Sequence, residues 1–365
     1  MIKTTALLTR LQLLHYRNHQ SAGYSFDNQT VLINGPNGSG KTNLLDAIYF
    51  CCMCRSYFLR QDQLLVQHGH DFFRLDASFD NQGQTDEVSV KVVSGRKKEV
   101  LLNGVAYEKL ADHIGQFPVI MITPDDTRLI QQYADERRRF LDLTISQVDR
   151  EYLFDLQQYQ KVLAQRNAWL KQAWQRGADK EVLDSLDKQL WPVAGRIWQA
   201  RRNFTERIVP GIQAIYARLS GNREVPGIDY QSDLNHADAA ELHARTRQED
   251  LAAGRTQAGV HRDDLLFTLD GEPLKQVASQ GQIKSLLIAL KLAAFHGDPD
   301  GRKPLLLLDD IFEKLDRKRM EALFSVISEG SWGGMFLTDA DSSRSQDILR
   351  NQQVLFDRVV TNNPD

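Results

Sequence analysis

Cysteine is scarce in the 365-residue chain and confined to one place, Cys51-Cys52-Met53-Cys54. Three clustered thiols give no disulfide framework and suggest a reducing compartment. Two further soft ligands at zinc-site spacing are missing, so the cluster is read as helix-end packing rather than a metal site. Long apolar runs are also lacking. The N-terminal stretch is cut by Lys3, Arg10 and Arg17 before a leader-like run develops, and nothing approaches the length of a membrane span. The expectation is a soluble, cytoplasmic protein. Charge of one sign is absent too: the formal net charge is −3, so affinity for a polyanion would need a local basic surface. There is no internal repeat and no low-complexity tract. What remains is 42% hydrophobic content, enough for two cores or one core with a large insertion.

The first part of the chain alternates short apolar strands with turn signals, among them Asn103-Gly104, a hairpin pair that tolerates positive φ. Character changes after Val119-Ile120-Met121-Ile122-Thr123-Pro124. From Asp125 to Leu219 the apolar residues recur at helical spacing: Tyr152, Leu156, Tyr159, Leu163, Leu170 and Trp174 share a face that Asn167 interrupts. Asn167 is read as a hydrogen-bonded or edge position. A helical stretch from Ala237 to Ala253 leads back to strands and a second hairpin at Asp270-Gly271. Then come a helix opened by Ala278-Ser279-Gln280-Gly281-Gln282, the strand Pro304 to Asp310, a helix over Arg317 to Ser328, the strand Gly334 to Asp339 and a final strand through Gln353 to Val360. This predicts an α/β domain formed by residues 1–122 and 255–365, with a mainly helical domain inserted at 123–254.

Gly35-Pro36-Asn37-Gly38-Ser39-Gly40-Lys41-Thr42 fits G-x-x-x-x-G-K-[ST] between an apolar strand and a helix. Glycines let backbone N–H groups turn toward phosphates, Lys41 can neutralise the β and γ oxygens, and the Thr42 hydroxyl can ligate Mg²⁺. Asp309 ends a buried strand, where its carboxylate would complete the magnesium shell. Asp310 follows, either orienting the attacking water or capping the next helix. ATP with Mg²⁺ is the expected cofactor pair, and Lys41, Asp309 and Asp310 are the catalytic candidates.

A serine and glycine at the start of a later helix remain. Ser279 and Gly281 resemble the signature segment of ATP-binding-cassette ATPases, which covers the γ-phosphate bound to a second copy; the bland alternative is an ordinary capped helix. Leu7 to Gln20 with His15-Tyr16-Arg17-Asn18, Ile122-Thr123-Pro124-Asp125-Asp126 to Asp142, Gln165-Arg166-Asn167 and Gly259-Val260-His261-Arg262-Asp263-Asp264 extend the likeness. On these segments the chain resembles the RecF family of SMC/Rad50-like ABC ATPases, with an ABC-type P-loop head and an inserted helical domain. The resemblance implies that Arg17, Asn18, Asn43 and Gln282 join the nucleotide site and that ATP drives a homodimer. It implies slow hydrolysis, because Asp310 stands where other cassette ATPases carry glutamate. It further implies binding of gapped or junction DNA near the nucleoid, and work with RecO and RecR in loading RecA at gaps. Asp316 would touch the opposite subunit. Val260 replaces the family's proline, Glu313-Lys314 replaces Ser-Glu, and Thr338-Asp339 stands where transporters place a switch histidine. No glutamine-loop residue is legible.

For DNA the candidates are Arg55, Arg60, Arg96, Lys97 and Lys98. Residues Glu151 to Ser220 hold eleven Lys or Arg against seven Asp or Glu, a surplus that either solvates a helical face or meets DNA. Arg137, Arg138 and Arg139 lie beside Asp135, Glu136 and Asp142, and are expected to be tied up in ion pairs. No base-reading helix stands out, so binding should ignore sequence. Two other classes stay open. One is a nuclease-coupled or SMC-like ATPase, for which His261, Asp263 and Asp264 are the place to look for metal ligands. The other is a transporter ATPase subunit, which the insertion disfavours.

Overall fold

The computed structural model describes residues 6–176, 180–311, 317–339 and 342–361. Strands β1 (Leu7–Tyr16), β2 (His19–Ser25) and β3 (Thr30–Asn34) lead into helix α1 (Lys41–Met53), followed by β4 (Phe72–Asn81), β5 (Gln84–Val93), β6 (Glu99–Leu102), β7 (Val105–Ala106) and β8 (Val119–Ile122). Helices α2 (Thr127–Gln131), α3 (Ala134–Val148), α4 (Arg150–Arg176) and α5 (Lys180–Ser220) come next, then β9 (Pro226–Gln231), α6 (Ala239–Ala253), β10 (Asp264–Leu269), β11 (Glu272–Pro273), α7 (Leu274–Val277) and α8 (Gln280–Leu292). The remaining elements are β12 (Leu305–Leu308), α9 (Arg317–Glu329), β13 (Gly334–Asp339), α10 (Ser342–Asn351) and β14 (Asp357–Val360).

The chain divides into two compact units. The first comprises residues 1–126, 214–223 and 288–365, the second residues 127–213 and 224–287. Residues 255–287, grouped with the ATPase segment on sequence, therefore cluster with the helical unit, because β10 pairs with β9 along its whole length and α7 packs on β10.

The first unit holds two sheets. One is antiparallel, in the order β2-β1-β4-β5-β6-β7, and alternates buried with exposed residues as a one-sided sheet must. The other is parallel, in the order β14-β3-β13-β12-β8. Its strands β3, β8 and β12 are buried at every position, the pattern of a sheet covered on both faces. Helix α1 touches strands of both sheets and is buried on every side from Leu44 to Met53. An all-round apolar helix belongs inside, and this one carries the loop before it to a fixed place.

The cysteine cluster is the end of α1. Cys51, Cys52 and Cys54 are buried, Cys54 closes the helix at φ 52°, and burial pushes the Cys54 thiol up to about 12. Such thiols stay protonated and unreactive near neutrality.

In the second unit, α2 to α4, α5 as far as Gln213, and α6 accompany the small antiparallel sheet β11-β10-β9. Both expected hairpin turns form. Asn103-Gly104 joins β6 to β7 and Asp270-Gly271 joins β10 to β11, all four residues at positive φ. The final strand is shorter than its apolar run suggests, covering only Asp357–Val360 and leaving Leu355 80% exposed.

Candidate nucleotide site

Parallel strands bring their carboxyl ends to one edge, and ligands bind at that edge in open α/β sheets. Strand β3 delivers the loop Gly35 to Gly40, β12 delivers Asp309 and Asp310, and β13 delivers Thr338 and Asp339.

The loop is clamped from two sides within the first unit. A Cβ on Gly35 would lie 2.4 Å from the Thr361 carbonyl oxygen, and Ser39 Oγ bonds Thr361 Oγ1 at 2.6 Å. Gly40 adopts φ 96°, and a Cβ there would meet the Asn18 amide at 2.6 Å. Across this side Asn43 Nδ2 donates to Asn18 Oδ1 at 2.7 Å, Arg17 Nε reaches Asn43 Oδ1 at 3.4 Å, and Asn18 Nδ2 lies 3.5 Å from the Gly38 carbonyl. His19 contacts the Gly40 carbonyl at 3.3 Å, and burial lowers its pKa, so the ring is neutral there.

Lys41 is buried, and its ammonium donates to the carbonyls of Gly35 at 2.9 Å and Pro36 at 3.2 Å. Thr42 Oγ1 donates to the Asp309 carboxylate at 2.9 and 3.0 Å from its two oxygens. Thr338 Oγ1 donates to Asp309 Oδ1 at 2.8 Å and accepts the Asp310 N–H at 2.9 Å. Burial lifts the Asp309 carboxyl above its ordinary value, and the Thr338 and Thr42 hydroxyls oppose that rise. Asp310 sits at φ 42°, a conformation uncommon for a non-glycine residue. The segment it would cap, together with Glu313, Lys314 and Asp316, lies outside the described residues.

These groups fit a magnesium-bound nucleoside triphosphate. Glycines stand where a Cβ would collide, an ammonium lies within the loop, and a hydroxyl beside a carboxylate supplies hard oxygen ligands. The sequence did not announce Thr361 or His19, which lie outside the phosphate-loop pattern. Nor did it announce the cluster behind α1, where buried Lys291 donates to Asp126 Oδ2 at 2.5 Å and to Tyr57 Oη and the Met121 carbonyl at 2.6 Å. An isolated lysine in an apolar helix was its only trace.

In the second unit Ser279, Gly281 and Gln282 lie together at the start of α8. Gln282 N–H donates to Ser279 Oγ at 3.4 Å, and Ser279 N–H donates to Gln282 Oε1 at 2.6 Å. This is a reciprocal capping box, so the serine caps its own helix and is exposed as well.

Of the basic candidates, Arg60, Arg96 and Lys97 are exposed and Arg55 is half-buried. Lys98 is engaged internally, 2.6 Å from Asp62 and 2.5 Å from the Cys54 carbonyl. Part of the helical block's positive charge is internal as well, whereas Arg196, Arg202 and Arg218 are exposed. Arg166 pairs with Asp187 and Asp250, and Arg201 with Asp142 and Asp263, the two arginine side chains being 0% and 2% exposed. Arg137 binds Asp264, Arg138 binds Asp135 and Arg139 approaches Glu136 at 3.8 Å. Asp263 and Asp264 therefore serve as internal counter-ions, and no group of potential metal ligands is found among the described residues. Among those residues no helix is long and apolar enough to cross a membrane.

Fold and site together define an α/β ABC-type P-loop ATPase head. The sequence profile of the RecF/RecN/SMC N-terminal domain matches residues 7–344. The chain is 38% identical over 347 residues to the DNA replication and repair protein RecF of Flavobacterium johnsoniae, covering 94% of this chain and 97% of that one. It is 37% identical to the corresponding protein of Parabacteroides distasonis, covering 94% of each. The solved structure of the recombination mediator RecF with ATP, from the RecFOR pathway, superposes with a TM-score of 0.85 at 27% identity, over 93% of this chain and 94% of that one. An Smc head from Pyrococcus furiosus shares the fold alone, with a TM-score of 0.55 at 16% identity over 95% and 91%. The chain belongs to the RecF family, whose members are DNA replication and repair proteins.

Proposed function

We propose that the chain is an ATP-gated DNA clamp of recombinational repair. The observation that carries this reading is the Thr42–Asp309–Thr338 arrangement beside the clamped glycine loop. Gly35 to Thr42 hold the phosphates of ATP, and Lys41 leaves the loop carbonyls to neutralise the β and γ oxygens. Thr42 and Asp309 hold Mg²⁺, which when bound supplies charge neutralisation at the phosphoryl oxygens. Asp310 orients the attacking water, with Thr338 fixing its backbone, and its short reach makes hydrolysis slow. Arg17, Asn18 and Asn43 line the nucleotide side of the loop.

Two copies sandwich two ATP molecules, with Ser279 and Gly281 of each facing the γ-phosphate held by the other. Support comes from the exposure of Ser279 at the N-terminus of α8, where the helix dipole favours an anion. The dimer grips duplex or junction DNA by its backbone, with Arg55, Arg60, Arg96 and Lys97 as candidate contacts and Lys98 as a support behind them. By relationship to RecF it cooperates with RecO and RecR to promote RecA loading, and hydrolysis times its release. Residues 1–122 and 255–365 are proposed as the functional ATPase domain, with 123–254 as the insertion.

Light scattering with ATP, ADP and no nucleotide tests this. ATP alone should produce a dimer, and Lys41→Met and Ser279→Arg should each abolish it. A wild-type chain that stays monomeric at micromolar concentration in saturating ATP contradicts the clamp.

A further inference from the structure

The capping box of α8 has a third member that lies outside the helix. Gln282 Nε2 donates to Glu224 Oε1 at 2.6 Å, and Glu224 sits half-buried in the connection between α5 and β9. All three residues belong to the second unit. A carboxylate can only accept hydrogen bonds, whereas the two ends of a glutamine amide differ, one donating and one accepting. With Glu224 in place, one orientation satisfies both neighbours: the amide NH₂ faces the carboxylate and Oε1 faces the Ser279 N–H. The flipped amide would set oxygen against carboxylate and N–H against N–H.

That choice propagates to Ser279. Its N–H is held by Gln282 Oε1 and its Oγ accepts the Gln282 N–H, which leaves the hydroxyl hydrogen for an acceptor beyond the turn. Without the carboxylate, the amide is free to flip or to swing out, and the serine samples several rotamers. Ordering it on contact with a phosphate then costs affinity.

We propose that Glu224 is a positioning residue for the composite ATP site, acting through Gln282 to hold Ser279 in the geometry that donates to the partner-bound γ-phosphate. This rests on the two-copy reading above. Glu224 touches no nucleotide; its role is to select one rotamer of one amide.

The test uses the full chain and reads the ATP concentration giving half-maximal dimer by light scattering. Glu224→Ala should raise it by about tenfold, the size expected for one charged hydrogen bond. Gln282→Ala should raise it by a similar factor, and the double variant should be no worse than Gln282→Ala alone, since both changes break one chain of contacts. Glu224→Gln keeps an accepting oxygen but loses the charge and adds an NH₂ that can serve the flipped amide, so it should fall between wild type and Glu224→Ala. Glu224→Met keeps side-chain length without an acceptor and repeats the Ala result where Ala itself loosens the loop. Binding of fluorescent ATP to the monomer should be unchanged throughout. A wild type that dimerises beside a Glu224→Ala and a Glu224→Met that do so at the same ATP concentration overturns the positioning role alone, as does a double variant whose defects multiply. A wild type that stays monomeric in ATP overturns the composite site and this role with it.

Discussion

The nucleotide site of the first unit and the arginine networks of the second hold their polar groups differently. In the first, Lys41, Thr42, Asp309 and Thr338 gather at the rim of an apolar parallel sheet, bonded to one another and to loop carbonyls. In the second, charge is buried and mutually neutralised. Arg201 alone donates to Asp142, Asp263, the Val260 carbonyl and Tyr152, and Arg166 to Asp187, Asp250 and Thr256. Polar residues at a rim can change partners when a ligand arrives, whereas those in a buried ion-pair network cannot do so without leaving a charge unpaired. The difference separates motif residues placed where a ligand can meet them from motif residues that hold the fold.

Substitutions that hit stability in one unit and activity in the other sharpen the contrast. The largest effect should come from Arg201→Ala, which strands buried Asp263 and half-buried Asp142 and should lower unfolding stability by about 3–5 kcal/mol in urea denaturation. Lys41→Met should leave the denaturation midpoint nearly unchanged while lowering ATP hydrolysis by about 100-fold or more. If Lys41→Met instead unfolds the chain, the rim is structural and the contrast fails. Thr338→Val removes the hydroxyl between Asp309 and the Asp310 backbone, and steady-state hydrolysis should drop by about tenfold.

The smallest effect concerns acid. His261 is held neutral, accepting from Tyr159 Oη at 2.8 Å, and burial lowers its pKa to about 4. Between the unfolded value near 6.5 and about 4, the unfolded chain binds the extra proton, so stability falls as pH drops through that window. Raised carboxyls such as Asp263 act in the opposite sense. His261→Gln should therefore flatten the decline relative to wild type, read as the pH dependence of the melting temperature. An unaltered slope would show that the ring does not titrate there.

The same contrast explains what was legible in the sequence. The phosphate loop declares itself because its glycines answer a local backbone demand, and Asp309 because four leucines precede it. The roles of Arg166, Asp187 and Asp250 are not local: the arginine meets its second carboxylate 84 residues away, so no spacing betrays the pair. Helix α10 escaped notice because its segment is almost wholly polar, with Ile348 and Leu349 supplying its buried apolar residues. Strand β9 opens on Pro226-Gly227, which reads as a turn. The glycine is there because a Cβ would lie 2.3 Å from Thr268 Oγ1 on the paired strand. Residues 255–287 cluster with the helical unit for a similar reason, since β10 pairs with β9 and not with the parallel sheet. Ser279 was legible both as a cap and as a phosphate donor, and its capping box is compatible with either use.

The most direct test of two-sided ATP binding is a mixing experiment. Lys41→Met lacks the loop lysine but keeps Ser279, and Ser279→Arg lacks the serine but keeps the loop. Each alone should be monomeric and inactive in ATP, while an equimolar mixture should form dimers containing one intact composite site and recover measurable ATP hydrolysis. A mixture no more active or dimeric than its separate components would contradict the account.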